Sequence, residues 1–142
     1  MNKLFFLMAF FATVGIFSAC NTETDDTEIN YDYHAHINSP SADDKHVGDS
    51  IMILVNFESH SGEIVHNINV RIYNKADGTE IYNKPADAQV NTSAEYDYSD
   101  VFVLTEDNGV AAHTDWIIEA TVWGEEDGEE TEMEIVEFHV HP

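Results

Sequence analysis

The sequence predicts an all-β fold, an antiparallel two-sheet sandwich of about seven strands, from three observations. Apolar and polar residues alternate at period two from Tyr31 onward, Gly- and Asp-containing clusters interrupt the alternation, and no long stripe at helical spacing competes with it. Tyr33, Ala35 and Ile37 form one face of a first strand. Val47-Gly48-Asp49 is a turn signal, after which Ile51, Ile53, Val55 and Phe57 share the face of a core strand. Ser61-Gly62-Glu63 marks the next turn, followed by Ile68, Val70 and Ile72 in a second core strand. Asp77-Gly78 precedes a short strand from Glu80 to Asn83, and Pro85, which has no N–H to donate, marks a sheet edge or the strand's end. Tyr96 to Leu104 forms another strand. Trp116, Ile118, Ala120 and Val122 then face inward, the loop Glu125 to Glu130 turns through Gly128, and Val136, Phe138 and Val140 face inward on the last strand.

Before this domain, the chain opens with a different signal. Lys3 is followed by an apolar run from Leu4 to Phe17 that is too short for a permanent membrane span, then by Ser18-Ala19 and the only cysteine, Cys20. Small residues directly before a cysteine resemble the lipobox of bacterial lipoproteins, although Phe17 stands where that family usually has Leu. The resemblance implies a signal peptide over 1–19, cleavage before residue 20, and acylation of the Cys20 thiol as a membrane anchor. Residues 21–30 (NTETDDTEIN) are polar and acidic and read as a tether, which fully extended would reach about 33 Å. Glu23, Asp25 and Asp26 also resemble the acidic surface-export signal of Bacteroidota lipoproteins, while an ordinary solvated linker has the same composition. The expected location is the cell envelope, at the outer membrane and in the surface-exposed case outside it.

Charge narrows the choice of partner. The 142 residues carry 28 acidic side chains against 5 basic ones, a net charge of −23, and removal of 1–19 takes away Lys3 and no acid. Such a chain has no basic face for nucleic acid and is repelled by anionic head groups, so membrane attachment must come from acyl chains. With Cys20 lipidated no intrachain disulfide can form, and domain 31–142 must be held together by its hydrophobic core.

HVGDSIMILVNFESHSGEIVHNINVRIYN and DWIIEATVWGEEDGEETEMEIVEFHV resemble the immunoglobulin-like domain of small Bacteroidota lipoproteins over most of 31–142. The resemblance implies an immunoglobulin-like sandwich. It carries no specific activity, and the cysteine pair of antibody domains is absent.

Eight histidines against five Lys and Arg are the second unusual feature. His34-Ala35-His36 and His139-Val140-His141 each place two imidazoles on one face of a strand, with Asp32 and Glu137 two residues upstream on the same parity. In immunoglobulin-like topology the first strand commonly runs parallel beside the last, which would bring His34, His36, His139 and His141 into one nitrogen-rich cluster. His46 and His113 would reach the same pole in supporting roles, and His60 with His66 would form a second site at the opposite pole. Imidazole clusters suit copper or zinc, whereas the carboxylate loop Glu125 to Glu130 would suit calcium but lacks EF-hand spacing. HAHINSPSAD also resembles the start of CopC-type copper carriers, whose first histidine binds copper with its own terminal amine; here the amine of His34 is a peptide nitrogen, leaving the imidazole.

No Gly-x-Ser-x-Gly elbow positions a nucleophile, and no two carboxylates stand out as a catalytic pair. The expectation is a non-enzymatic, lipid-anchored protein binding a transition metal through surface histidines. The alternative is a carbohydrate- or protein-binding module with incidental histidines, in which Trp123, Ile117, Tyr73, Tyr82, Tyr96 and Tyr98 supply an exposed aromatic platform.

Overall fold

A computed structural model describes residues 32–88, 93–125 and 131–142. The signal peptide, Cys20, the acidic tether and residues 126–130 of the acidic loop lie outside the described residues. Among the described residues there are eight strands where about seven are expected: β1 (Tyr33–Ser39), β2 (Lys45–His46), β3 (Ser50–Ser59), β4 (Asn67–Asn74), β5 (Glu80–Asp87), β6 (Glu95–Val103), β7 (Thr114–Trp123) and β8 (Glu132–His141). The additional strand is the two-residue β2, too short to leave an alternation in the sequence.

Strands β1-β3-β6 form one sheet and β2-β8-β7-β4-β5 the other. All pairings are antiparallel except β2 with β8, which is parallel. The inward faces are those the alternation predicts. Ile51, Ile53, Val55 and Phe57 of β3 are buried against Ile68, Val70 and Ile72 of β4, Trp116, Ile118, Ala120 and Val122 of β7, and Phe138 and Val140 of β8. Val136 is only half-buried and packs at the rim. Each such side chain removed from water contributes roughly 1.5–3 kcal/mol, and with no intrachain cross-link available this shared layer is what joins the two sheets. Trp116 keeps its one polar atom satisfied by donating from Nε1 to Thr114 Oγ1 at 2.7 Å.

β5 extends to Asp87, farther than Asn83, because Pro85 sits on an edge strand opposite Asn69 where a missing N–H costs only one rung. Asn74 to Thr79 close the β4–β5 hairpin around Gly78, whose φ of +73° a side chain rarely adopts. The exposed aromatic platform does not form. Tyr82 is buried, Tyr96 and Tyr98 pack against the core, and Tyr73 and Trp123 are half-buried. The Tyr82 hydroxyl meets the Tyr98 hydroxyl and donates to Asp100 Oδ2 at 2.7 Å; burial first, and then these bonds, raise its pKa.

One pair of charges crosses the second sheet. Arg71 on β4 grips Glu119 on β7 through Nε and Nη2 at 2.7 and 2.9 Å, and the Tyr73 hydroxyl donates to the same carboxylate at 3.2 Å. Glu119 is buried to 7% exposure, so the bidentate fork and the phenol replace the water it has lost.

Phe138→Ala should cost about 3–5 kcal/mol, because a 1%-exposed ring opposite Trp116 leaves a cavity that two flanking strands cannot close. Urea denaturation monitored by circular dichroism measures it, and a loss below 1 kcal/mol would place Phe138 outside the core.

Candidate metal centre

Strand direction sorts the histidines. The ends of β2 and β8 and the starts of β3 and β7 make one pole, tied by backbone bonds from Val47 to His141, Gly48 to Leu104 and His113 to Val140. The start of β1 and the ends of β3 and β5 make the other, tied by bonds from His60 to Asp32 and Ala88 to His66. A ten-residue strand such as β3 separates the poles by about 30 Å.

At the first pole His113, His139 and His141 converge, one donor nitrogen from each lying within 4.8 Å of the others. His139 and His141 are outward neighbours on β8 with ring centroids 4.6 Å apart, and His113 approaches them to 6.4 and 6.3 Å. His46 is the register partner of His141 in the parallel β2–β8 pair, with ring centroids 5.7 Å apart. Two carboxylates stand behind the imidazoles. Asp115 Oδ1 meets His139 Nδ1 at 2.7 Å and Asp44 Oδ2 meets His141 Nε2 at 3.2 Å, which leaves His139 Nε2 and His141 Nδ1 as free donors. A carboxylate on the far nitrogen fixes the tautomer and raises the basicity of the near one. Four ligands around tetrahedral zinc lie about 3.4 Å apart, given bonds of 2.0–2.1 Å, so three nitrogens within 4.8 Å of one another approach the spacing that one ion requires. A groove of about 380 Å³ lined by Asn74, Lys75, Ala76, His113, Thr114 and Asp115 gives access from one side.

His113 carries a further mark. Its φ is +59°, the left-handed region, and it is the one such residue other than glycine among those described. Glycine or asparagine would hold that bend with less strain.

The cluster expected from His34, His36, His139 and His141 does not form. β1 pairs with β3 in the three-stranded sheet, and the parallel place beside β8 is taken by β2, so the two His-x-His rows lie in different sheets and at opposite poles. His46 and His113 do reach the pole of His139 and His141. Glu137 does not support that cluster; it pairs with Lys75, whose pKa it raises.

At the second pole His34 joins His60 with centroids 4.5 Å apart, and Asp32 lies 3.1 Å from His34 Nε2 and 3.8 Å from His60 Nδ1. Asp32, His34 and His60 have donor atoms within 4.8 Å of one another. His36 stacks at 6.2 Å from His34 and meets Glu58 Oε1 at 3.0 Å, as does His60 Nε2. These two bonds, His36's first, hold the Glu58 carboxyl below its ordinary pKa. His60 is therefore not paired with His66. The His66 Nδ1 is buried with no hydrogen-bond partner among the described residues, while its carbonyl accepts from Ala88. Asp44 and Asp115 had no sequence signal as partners; only the fold brings them beside imidazoles.

Among solved structures, the chain is similar to the CARDB domain of a Pyrococcus furiosus protein, crystallised in complex with di-metal ions. The TM-score is 0.52 at 19% identity, covering 81% of this chain and 97% of that one. The solution structure of the same domain gives 0.51 at 19% identity over 78% of this chain and 95% of that one. No protein-family model and no curated protein matches the sequence. The likeness establishes the fold: an immunoglobulin-like β-sandwich.

His113→Gly should leave stability equal or higher, within about 1 kcal/mol, since relief of the left-handed backbone offsets the extra entropy of glycine in the unfolded chain. Urea denaturation checks it. A loss of more than 2 kcal/mol would mean that the imidazole is held there for folding.

Proposed function

We propose that the protein is a lipid-anchored, non-enzymatic component of the cell envelope, at the outer membrane, whose immunoglobulin-like domain binds a transition metal, copper or zinc, through His113, His139 and His141 with His46 beside them. The observation that carries the reading is the meeting of three imidazoles from two chain segments, two of them backed by carboxylates, at a bend that the chain holds in a left-handed conformation. Nitrogen donors of this kind favour Cu²⁺ and Zn²⁺ over Ca²⁺, which needs six or more oxygens. The di-metal ions of the Pyrococcus furiosus CARDB domain support metal binding on this scaffold. The acidic surface raises the local concentration of any cation without choosing among them.

Anchoring gives the site a direction. The chain enters the sandwich at Asp32, at the pole opposite His113, His139 and His141, so a domain tethered through Cys20 would hold this cluster on the side away from the lipid. With such an anchor, a strand length of about 30 Å and a tether reaching up to about 33 Å would hold it clear of the head groups.

Calorimetric titration of the detergent-solubilised, tag-free protein with Cu²⁺, Zn²⁺ and Ca²⁺ tests the ligand. His139→Ala/His141→Ala should lose at least tenfold in Cu²⁺ and Zn²⁺ affinity at this pole, wild-type binding should weaken below about pH 6 because a protonated imidazole has no lone pair to donate, and Ca²⁺ should compete poorly. Equal transition-metal binding in wild type and variant would remove the site. The anchor is tested separately: Cys20→Ala should move the protein from the membrane pellet to the soluble fraction, since an acidic chain has no other means of adhesion. Retention in the pellet would contradict it.

A further inference from the structure

We propose that the opposite pole carries a second cation site, of mixed imidazole and carboxylate donors, formed by Asp32, His34 and His60 and oriented by Glu58. It uses none of the residues of the β8 cluster and stands or falls independently of it. Three elements supply it: the residue before β1, β1 itself, and the turn that follows β3.

The geometry around His60 points to a cation. Both of its ring nitrogens face carboxylates, Nε2 at 3.0 Å from Glu58 Oε1 and Nδ1 at 3.8 Å from Asp32 Oδ2. A neutral imidazole has one N–H, so it can donate to only one of them. The 3.0 Å contact is a hydrogen bond and assigns the proton to Nε2. In the neutral ring that leaves the Nδ1 lone pair near a carboxylate oxygen, a repulsive pairing that a cation between them, or a second proton on the ring, relieves. The 3.8 Å gap is too long for a hydrogen bond and near the roughly 3.4 Å that separates two ligands of one tetrahedral ion. His34 completes the set, its ring 4.5 Å from that of His60 and its Nε2 3.1 Å from the other oxygen of Asp32. Asp32 thus offers one oxygen toward each imidazole.

Glu58 is the positioning residue. It sits on β3 directly opposite His34 in the β1–β3 register, and its Oε1 accepts from both His36 and His60, holding His60 in the tautomer that turns Nδ1 toward Asp32. His36 contributes through Glu58 and lies outside the donor set. Two imidazoles and a carboxylate suit a borderline divalent ion such as Zn²⁺; the oxygen makes this site harder than the all-imidazole cluster at the other pole.

Equilibrium dialysis of the full chain against Zn²⁺ at pH 7.5 separates the two poles. Wild type should hold two ions per chain, His139→Ala/His141→Ala one, His34→Ala/His60→Ala one, and the fourfold variant none. A His139→Ala/His141→Ala chain that binds no zinc, or a His34→Ala/His60→Ala chain that keeps the wild-type number, would overturn the second site. A His34→Ala/His60→Ala chain that binds none would instead remove the β8 cluster while leaving this one standing. Within the His139→Ala/His141→Ala background, Glu58→Gln should weaken the remaining ion by about tenfold or more, with an unchanged circular dichroism spectrum; undiminished affinity would take Glu58 out of the site. Asp32→Asn in the same background preserves the shape of the side chain and should weaken binding in the same way, so the proposal stays testable if the double histidine variant fails to fold.

Discussion

The chain changes sheets between Ser39 and Lys45, and that crossing decides which strand lies beside the end of β8 and its histidines. Until Ser39 the first strand is paired with β3; from Lys45 the chain lies parallel to β8. Pro40 has no N–H with which to continue the ladder, and the β1–β3 register has already slipped between Ile37 and Ser39. β1 approaches the second sheet through a side chain, the Ile37 N–H donating to the Glu134 carboxylate of β8. Strand direction keeps the two rows apart: Ile37 lies level with Glu134, so His34 and His36, at the start of β1, stand near the start of β8, while His139 and His141 are at its end. The crossing gives His141 its neighbour, His46.

The core tolerates this division because it does not depend on which strand covers a given edge. Inward residues of β3 pack on β4, β7 and β8, whose own register aligns Ile68 with Val122, Val70 with Ala120, Ile72 with Ile118 and Trp116 with Phe138. Outward positions are then free of packing constraints, and this chain places acids and histidines there beside exposed apolar residues such as Met52, Val101 and Ile135. Two of the four cations among the described residues pair with carboxylates, Arg71 with Glu119 and Lys75 with Glu137, while several carboxylates at the poles pair with imidazole. A surface of this kind attracts cations everywhere and specifies them only where imidazoles converge.

Period-two alternation made the core strands legible, since Ile51 to Phe57, Ile68 to Ile72 and Trp116 to Val122 have only one way to bury their apolar face. Pairing order was not legible. Alternation states which side chains point inward but nothing about which strand lies next door, and the two-residue β2 has too few positions to alternate at all. The candidate site divides along the same line. Parity in the sequence placed His139 and His141 outward together, and turn signals carried His46 and His113 to their pole. Grouping His34 with His139 required a neighbour relation that only the topology decides, and pairing His60 with His66 failed because His60 turns toward β1 while His66, beyond the turn, has its Nδ1 buried. The aromatic platform failed because Tyr96 and Tyr98 stand in register with the inward Phe57 and Val55, and Tyr82 with the inward Ile72, so all three lean into the core.

The two poles differ in a way that bears on what each would do with an ion. Two of the three donors of the β8 cluster, His139 and His141, sit on a strand whose end is tied on both sides, by β2 and β7, and are fixed in spacing, while His113 joins them from the bend before β7. The Asp32 cluster takes one donor from the residue before an edge strand, one, His34, from that strand and one from a turn, with Glu58 as its contribution from the middle of the three-stranded sheet. Fixed nitrogen donors discriminate among metals by geometry; donors carried on chain ends follow the ion they meet. If the chain is tethered through its N-terminal segment, the discriminating site lies at the far end and the adaptable one next to the tether, where a bound ion would brace the residue through which the domain enters its fold.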